Sequence, residues 1–296
     1  MMGNRSSILL VNKPSGVTSF ASLGLIKRTV DPKVGHAGTL DKFAEGLMIV
    51  LTGSMTKLNQ VFSTMDKRYR ATISFGKETD TLDPEGEVIA TSDIPTLEQI
   101  KEAIPQFLGE IQQSPPQYSA LHIGGKRASK LAREGKVVVM EKRPVHVYSF
   151  ELVSFEDNLL VADIHVSKGT YIRSLARDLA LACNSRGYLV NLVRTQIGPF
   201  LLQDAVDSTD ADALLASVGK TDFLITSIGD MSLLEVEDEQ LFSLGNGKYP
   251  ESFKTIRGAE NGQYGAVYAP SGILCCVLDL VDKRIIAQIH REQVRP

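Results

Sequence analysis

Apolar residues fall along this chain in short runs and alternations, with few long helical stripes. Ile8 to Val11 reads as a short buried strand that stops at the turn formers Asn12-Lys13-Pro14-Ser15-Gly16, which places Lys13 at a strand end. A helix is predicted from about Ser19. Leu47 to Leu51 is a continuous apolar strand closed by Thr52-Gly53, and Arg70 to Phe75 alternates as a half-buried strand does, with Tyr69 at its start. Thr96 and Gln99 form a capping box that opens an amphipathic helix to about Leu108. Strands are predicted at Val145 to Phe155, Leu159 to Val166 and Leu189 to Ile197, with a helix from Tyr171 to about Cys183. From about Ser232 the chain becomes strand-rich, with predicted strands at Tyr264 to Tyr268, Ile273 to Leu280 and Ile285 to Ile289. Strands and helices do not alternate regularly, so the expected class is α+β, a mixed and mainly antiparallel sheet flanked by helices, with a small β-rich C-terminal domain.

Composition narrows this picture. The 296 residues are 43% hydrophobic and 23% charged, ordinary for a globular protein of one large or two moderate domains. No apolar run reaches the roughly 18 residues of a membrane span, and MMGNRSSILLVNK is too short in apolar residues for a signal peptide. The expected location is cytoplasmic. Cys183, Cys275 and Cys276 show no zinc-type spacing, and the adjacent pair suits a disulfide poorly, so all three read as reduced and packed.

The net charge of -3 hides an asymmetry. Between prolines, glycines and few periodic apolar residues, the stretch after Gly109 reads as an inserted loop and helix. Within and just after it, Lys126, Arg127, Lys130, Arg133, Lys136, Lys142 and Arg143 stand against only Glu134 and Glu141. This is either a solvated face or a basic arm. The segment from Asp204 to Glu239 is acidic and reads as a connector.

The candidate chemistry begins at GHAGTLD, Gly35 to Asp41, where two glycines allow close backbone approach and flank a histidine and a carboxylate. Asp41 alone could equally cap or turn the chain. In GTYIRSLARDLALAC, Ile172, Leu175, Ala176, Leu179, Ala182 and Cys183 form one buried helix face, with Thr170 as the expected N-cap. Arg173 then sits in the first turn, where the helix dipole disfavours a cation by roughly 0.3 to 1 kcal/mol. It is either an exposed arginine or the partner of a carboxylate such as Asp41. A rival site, Glu78, Asp80, Asp83 and Glu85 in ETDTLDPEGE, would suit a metal-dependent hydrolase, but its spacing fails the calcium-loop pattern. No P-loop or complete dinucleotide fingerprint is present.

VNKPSGVTS, GHAGTLDKFAEGLMIVLTG, KRYRATISFG, QSPPQYSALHIGGKRASKLAREGK, SKGTYIRSLARDLA and LVRTQIGPF, in this order and spacing, make the chain resemble the TruB family of tRNA pseudouridine synthases. The resemblance implies an intramolecular transferase that isomerises uridine-55 in the TΨC loop of tRNA by flipping the base, with no cofactor or metal. It implies Asp41 as the nucleophile, Arg173 as its partner and Tyr69 as the residue stacking on the flipped base. His36 would contact the reorganised RNA, Tyr171 and Leu192 would line the pocket, and Lys13 would support the catalytic loop. Lys126, Arg127 and Lys130 would belong to an RNA-gripping thumb at about 110–145 within a catalytic domain of 1–230, and 231–296 would be a PUA-like RNA-binding domain. The partner implied is the tRNA T arm, bound by a monomer without an obligatory protein partner. A non-catalytic tRNA-binding or folding protein of the same fold is the alternative. Lys42 stands where the family commonly has proline, Ser129 where it has a thumb tyrosine, and Val193 where it has a second arginine.

Overall fold

In the computed structural model, the residues described are 6–119, 121–123, 125–128, 131, 134, 140–259 and 262–289. They divide into two compact units. The first comprises 1–40, 46–64 and 198–296 in outline, and the second 41–45 and 65–197. The class is α+β, as the pattern predicts.

In the first unit the strand Ile8–Lys13 pairs antiparallel with Glu45–Thr52 and parallel with Val206–Asp207, while Glu45–Thr52 also pairs with Val34–Ala37. Ile8 to Val11 and Leu47 to Thr52 are buried without alternation, as expected of unbroken apolar runs covered on both faces. The predicted helix from Ser19 starts as a 3-10 turn at Ala21–Leu23 and becomes α-helical over Gly24–Thr29. Leu23, Ile26 and Val30 pack with Leu9, Val11, Met48, Val50 and Leu214 in one core.

The acidic segment is more than a connector. It contains the helices Ala211–Ser217 and Thr221–Thr226, the first capped by Asp210, whose side chain accepts from the Ala213 amide at 3.0 Å. Asp212 and Asp222 stand in the first turns of these helices, where carboxylates are favoured. A five-stranded sheet follows, in the order Lys254–Arg257, Met231–Glu235, Tyr264–Tyr268, Leu274–Asp279, Arg284–Gln288. The helix Asp238–Gly245, not anticipated in a strand-rich region, contributes Leu244 to its core. Lys254–Arg257 is exposed along its whole length at one edge of this sheet.

The second unit is built on five antiparallel strands in the order Gly187–Ile197, Lys67–Phe75, Leu159–Val166, Arg143–Glu156 and Gly109–Gln113. Lys67, Tyr69 and Ala71 are buried and Arg68 and Arg70 exposed, so alternation starts before Arg70, but it lapses at Ile73 to Phe75, which are all buried. Gly109–Gln113 differs from the expected loop. It is an edge strand against Arg143–Glu156, with Glu110 and Gln112 exposed, Ile111 half-buried and Gln113 buried. The capping box at Thr96 forms as predicted, with Gln99 Oε1 accepting from the Thr96 amide at 2.8 Å. The α-helix ends at Ala103, and Pro105, which has no amide proton to donate, continues it only as a 3-10 turn to Phe107.

The helix Ile172–Ala182 buries Ile172, Leu175, Ala176, Leu179 and Ala180 and leads directly into the strand that begins at Gly187. There the two backbones approach so closely that a Cβ at Gly187 would lie 2.8 Å from Ala180 Cβ and 3.2 Å from the Ser74 carbonyl oxygen. Neither neighbour is a flexible side-chain end. Gly187→Ala is therefore expected to destabilise the protein by about 1–3 kcal/mol through overpacking. A thermal melt checks this, with an unchanged midpoint counting against the close packing.

Candidate active site

The site grows from the N-terminus of the helix Ile172–Ala182. Tyr171 is its N-cap rather than Thr170, whose hydroxyl donates instead to the Ser167 carbonyl at 3.0 Å. Tyr171 has no side-chain capping bond. Its backbone is held by the buried Gln113, whose Oε1 accepts from the Tyr171 amide at 2.8 Å and whose Nε2 donates to the Tyr171 carbonyl at 3.1 Å. Gln113 thus ties the sheet edge to the start of the helix.

One residue further on, Arg173 is only 4% exposed. A cation buried at the positive end of a helix needs anionic compensation, and Arg173 has two carboxylates. Its Nη2 donates to Asp41 Oδ1 at 3.0 Å, and its Nε lies 2.9 Å from Asp41 Oδ2 as an ion-pair contact outside hydrogen-bond alignment. Nη1 donates to Asp83 Oδ2 at 3.0 Å and to the Thr81 carbonyl at 2.9 Å, and Nη2 also donates to the Tyr118 carbonyl at 3.0 Å. All four Nη protons are therefore used. The guanidinium fork faces both oxygens of Asp41, which fixes the carboxylate's plane as well as its position. Asp41 remains 36% exposed at its side chain, against 7% for Asp83, so one carboxylate is presented and the other is interred.

Asp83 reaches Arg173 because the segment around it is a tight polar turn. Thr81 Oγ1 and the Glu85 amide donate to Asp83 Oδ1 at 2.6 and 3.0 Å, and Thr79 Oγ1 donates to its carbonyl at 2.8 Å. Leu82 adopts φ 61° within it. Gly86 closes the turn, since a Cβ there would fall 2.3 Å from Asp80 Oδ1 and 2.9 Å from the Thr81 nitrogen. The four acids of the rival hydrolase site are each engaged elsewhere. Glu78 pairs with Arg186 at 3.3 Å, Asp80 accepts from the Glu87 amide and the Tyr118 hydroxyl, Asp83 serves Arg173, and Glu85 pairs with Lys42 at 2.5 Å. Among the described residues no group of three His, Cys, Asp or Glu could hold a metal ion.

The Lys42–Glu85 pair also bears on the departure at Lys42. Proline there would have limited φ in the loop; instead an ion pair joins the loop to the same turn that carries Asp83. Both partners are about half exposed, so the tether is worth at most about 1 kcal/mol.

Tyr171 lies within electrostatic reach of Asp41 and Arg173, and burial raises its phenol pKa above the ordinary value. Tyr69 and Leu192 are buried in the adjacent strands Lys67–Phe75 and Gly187–Ile197, where Tyr69 registers with Arg194 and Leu192 with Ala71. Lys13 and His36 belong to the first unit. Lys13 is fully buried, with Nζ donating to the carbonyls of Pro14 at 2.8 Å and Val17 at 2.6 Å, so it braces the turn after its strand. His36 is half-buried in the strand Val34–Ala37, and its carbonyl accepts from Asn59 Nδ2 at 2.8 Å. Lys126 and Arg127 form a short strand paired with His122–Ile123. Lys130 and Ser129 lie outside the described residues.

Asp83, Gln113, Thr81 and Tyr118 are the site residues that sequence reasoning missed. The signal for Asp83 was the T-x-T-x-D-P-E-G turn itself, a segment whose polar side chains bond one another and leave a single carboxylate oxygen for an outside cation.

Residues 26–172 match the model of the TruB family pseudouridylate synthase N-terminal domain. The chain is 42% identical over 266 residues to tRNA pseudouridine synthase B of Borreliella burgdorferi (strain ZS7), covering 86% of this chain and 92% of that protein. It is 39% identical over 251 residues to tRNA pseudouridine synthase B of Francisella philomiragia, covering 82% and 83%. Among solved structures it resembles a chain of a Cbf5-Nop10-Gar1 complex, with a TM-score of 0.68 and 23% identity over 93% of this chain and 78% of that one. A chain from an H/ACA RNP bound to a substrate RNA containing 2'-deoxyuridine gives 0.69 at 19% identity, covering 100% and 88%. At these identities the structural matches bear on fold alone.

Removing the shared cation would leave two carboxylates facing one vacated position. Arg173→Met is expected to lower the unfolding free energy by about 3–5 kcal/mol. Adding Asp83→Asn should recover part of the loss. Urea denaturation measures both, and a loss below about 1 kcal/mol would mean that the cluster is solvated rather than buried.

Proposed function

The chain belongs to the TruB family of pseudouridylate synthases and, like the relatives it matches, is a tRNA pseudouridine synthase, an isomerase; on that premise we propose that it converts uridine-55 of the TΨC loop to pseudouridine with Asp41 as the acting carboxylate. The observation that carries this reading is the fork between Arg173 and both oxygens of a partly exposed Asp41.

The reaction breaks the N-glycosidic bond, turns the uracil in place, joins its C5 to the ribose, and ends as C5 gives up its proton and N1 takes one up. Atoms balance within the substrate, with no redox change and no net hydrolysis. What the protein must supply is an ionised carboxylate aimed at the ribose, and a pocket that keeps the detached base from leaving. Asp41 either attacks the anomeric carbon or assists a glycal route in which a proton leaves C2′ of the ribose. Arg173 holds the carboxylate oriented in both. Because Asp83 and two carbonyls also hold Arg173, the guanidinium does not have to reorganise as charge shifts on Asp41.

A uridine folded into the T loop has to be extruded to reach Asp41, and an aromatic face offsets its lost stacking by about 1–3 kcal/mol. Tyr69 is assigned that role, with Tyr171 and Leu192 as pocket walls, His36 against the reorganised loop and Lys13 bracing the catalytic segment. Lys126, Arg127 and Lys130 are assigned to backbone phosphates as the thumb, within a catalytic domain of 1–230, and 231–296 is assigned as a PUA-like RNA-binding domain. The enzyme is placed in the cytoplasm as a monomer acting on the T arm without a cofactor. Among the described residues no helix is long and apolar enough to cross a membrane.

Incubation of a T-arm stem-loop RNA with the purified protein, followed by mapping of pseudouridine, tests the assignment directly. Asp41→Asn keeps the shape of the side chain but not its nucleophilicity, and is expected to bind the RNA while forming no product. Residual turnover above about 1% would remove Asp41 from the chemistry. Neutralising Lys126, Arg127 and Lys130 together should flatten the dependence of log K on log salt by roughly 0.7–0.9 per lost phosphate contact. An unchanged slope would take the thumb off the RNA.

A further inference from the structure

Asp41 stands in the middle of the segment that joins two strands. Residues 38–44 lie between the strands Val34–Ala37 and Glu45–Thr52 and adopt no regular structure. Gly38, at φ 93°, adds freedom three residues before the carboxylate. Arg173 fixes where the carboxylate group sits, but a side chain with two rotatable bonds can meet that requirement from more than one backbone conformation. A hold on the backbone beside the carboxylate narrows that choice.

Ser19 is placed to do so. It is 3% exposed, and its Oγ lies 2.9 Å from the Leu40 nitrogen and 2.9 Å from the Leu40 carbonyl oxygen. A serine hydroxyl has one proton to give and two lone pairs to share. Here the oxygen accepts from the Leu40 N–H while its own proton is donated to the Leu40 C=O. The two peptide groups on either side of the Leu40 Cα are thereby held by a single atom, which restricts φ and ψ of Leu40 together. The second of those groups is the peptide unit whose nitrogen belongs to Asp41. The Leu40 side chain is buried as well, so the residue before the carboxylate is anchored through backbone and side chain together.

Ser19 is itself fixed. Its carbonyl accepts from Ser22 Oγ at 2.8 Å, and the Ala21 amide donates to Thr18 Oγ1 at 3.1 Å. The turn leading to it is braced by Lys13, through the Val17 carbonyl. The chain from Lys13 to Ser22 is therefore a hydrogen-bonded bracket, with one hydroxyl projecting from it to the loop.

We propose that Ser19 is a positioning residue for the reaction, acting on Asp41 through the Leu40 peptide groups without touching the substrate. The proposal rests on the reading of Asp41 as the acting carboxylate. It predicts a rate effect separable from binding, because the loop's apolar anchor and the Arg173 fork survive the loss of the hydroxyl. In single-turnover reactions at saturating T-arm RNA, Ser19→Ala is expected to slow pseudouridine formation about 10- to 100-fold, the scale of a carboxylate displaced by a fraction of an ångström to an ångström. The RNA Kd should stay within about twofold, as for an interaction that serves the transition state rather than binding. Ser19→Cys, whose thiol fills the same space and donates weakly, should fall between Ser19→Ala and the parent.

A Ser19→Ala rate within about threefold of the parent, a slowing matched by an equal loss of RNA affinity, or a Ser19→Cys slower than Ser19→Ala would each overturn the role. Should Ser19→Ala not fold at the assay temperature, Ser19→Cys is measured alone, with a rate within about threefold or a matched affinity loss as the overturning results. Asp41→Asn run in parallel keeps the two failures apart. An inactive Asp41→Asn beside an unaffected Ser19→Ala overturns the positioning role only, whereas an active Asp41→Asn overturns the reading on which it rests.

Discussion

A guanidinium buried in the first turn of a helix is the constraint around which the second unit is arranged. The helix dipole disfavours Arg173 there, and desolvation adds to the penalty. The structure meets it by bringing Asp41, Asp83 and the carbonyls of Thr81 and Tyr118 onto one fork. These four come from three separate segments, none of which is a strand or a helix at the point of contact. The arginine thus does for the loops what a ladder does for strands: it supplies donors to backbone and side-chain acceptors of separate segments and so joins them.

The two carboxylates have divided roles because their surroundings differ. Asp83 is enclosed by its own turn, with Thr81 and the Glu85 amide on one oxygen and Arg173 on the other, and has nothing left to offer a ligand. Asp41 receives the same cation but keeps an open side. An arginine satisfied by one aspartate alone would be free to swing with it. Held also by the buried one, it becomes a fixed reference for the exposed one. Two bracing devices at the chain's own level support this: Gln113, which holds both backbone groups of Tyr171 at the helix start, and Ser19, which holds both backbone groups of Leu40.

Much of this was legible in the sequence, and the exceptions have physical causes. The strands at Ile8, Leu47 and Leu159 declare themselves because their burial is nearly uniform or alternating, and those at Lys67 and Gly187 because alternation holds over most of their length. Arg173 stood out because a cation at that helical position is a local misfit, and a misfit points to a partner elsewhere in the chain. Which partner was not legible from spacing, since Asp41 and Asp83 lie 132 and 90 residues away; for Asp41 the family resemblance supplied it. Asp83 was hidden among four acids that resemble a metal site in composition but are tied one by one to different cations and amides. Gly109–Gln113 was hidden because an edge strand needs little apolar content. Thr170 was displaced as N-cap because Gln113, remote in sequence, already satisfies the backbone there.

The terminal five-stranded sheet ends in Lys254–Arg257, a strand exposed along its full length. An open strand edge is a template on which a second chain can add its own strand. Here the sequence is Lys-Thr-Ile-Arg, with a cation at each end of only four residues. A copy approaching edge to edge would bring like charges together over a short ladder that returns few hydrogen bonds, so this margin discourages fibrous self-association.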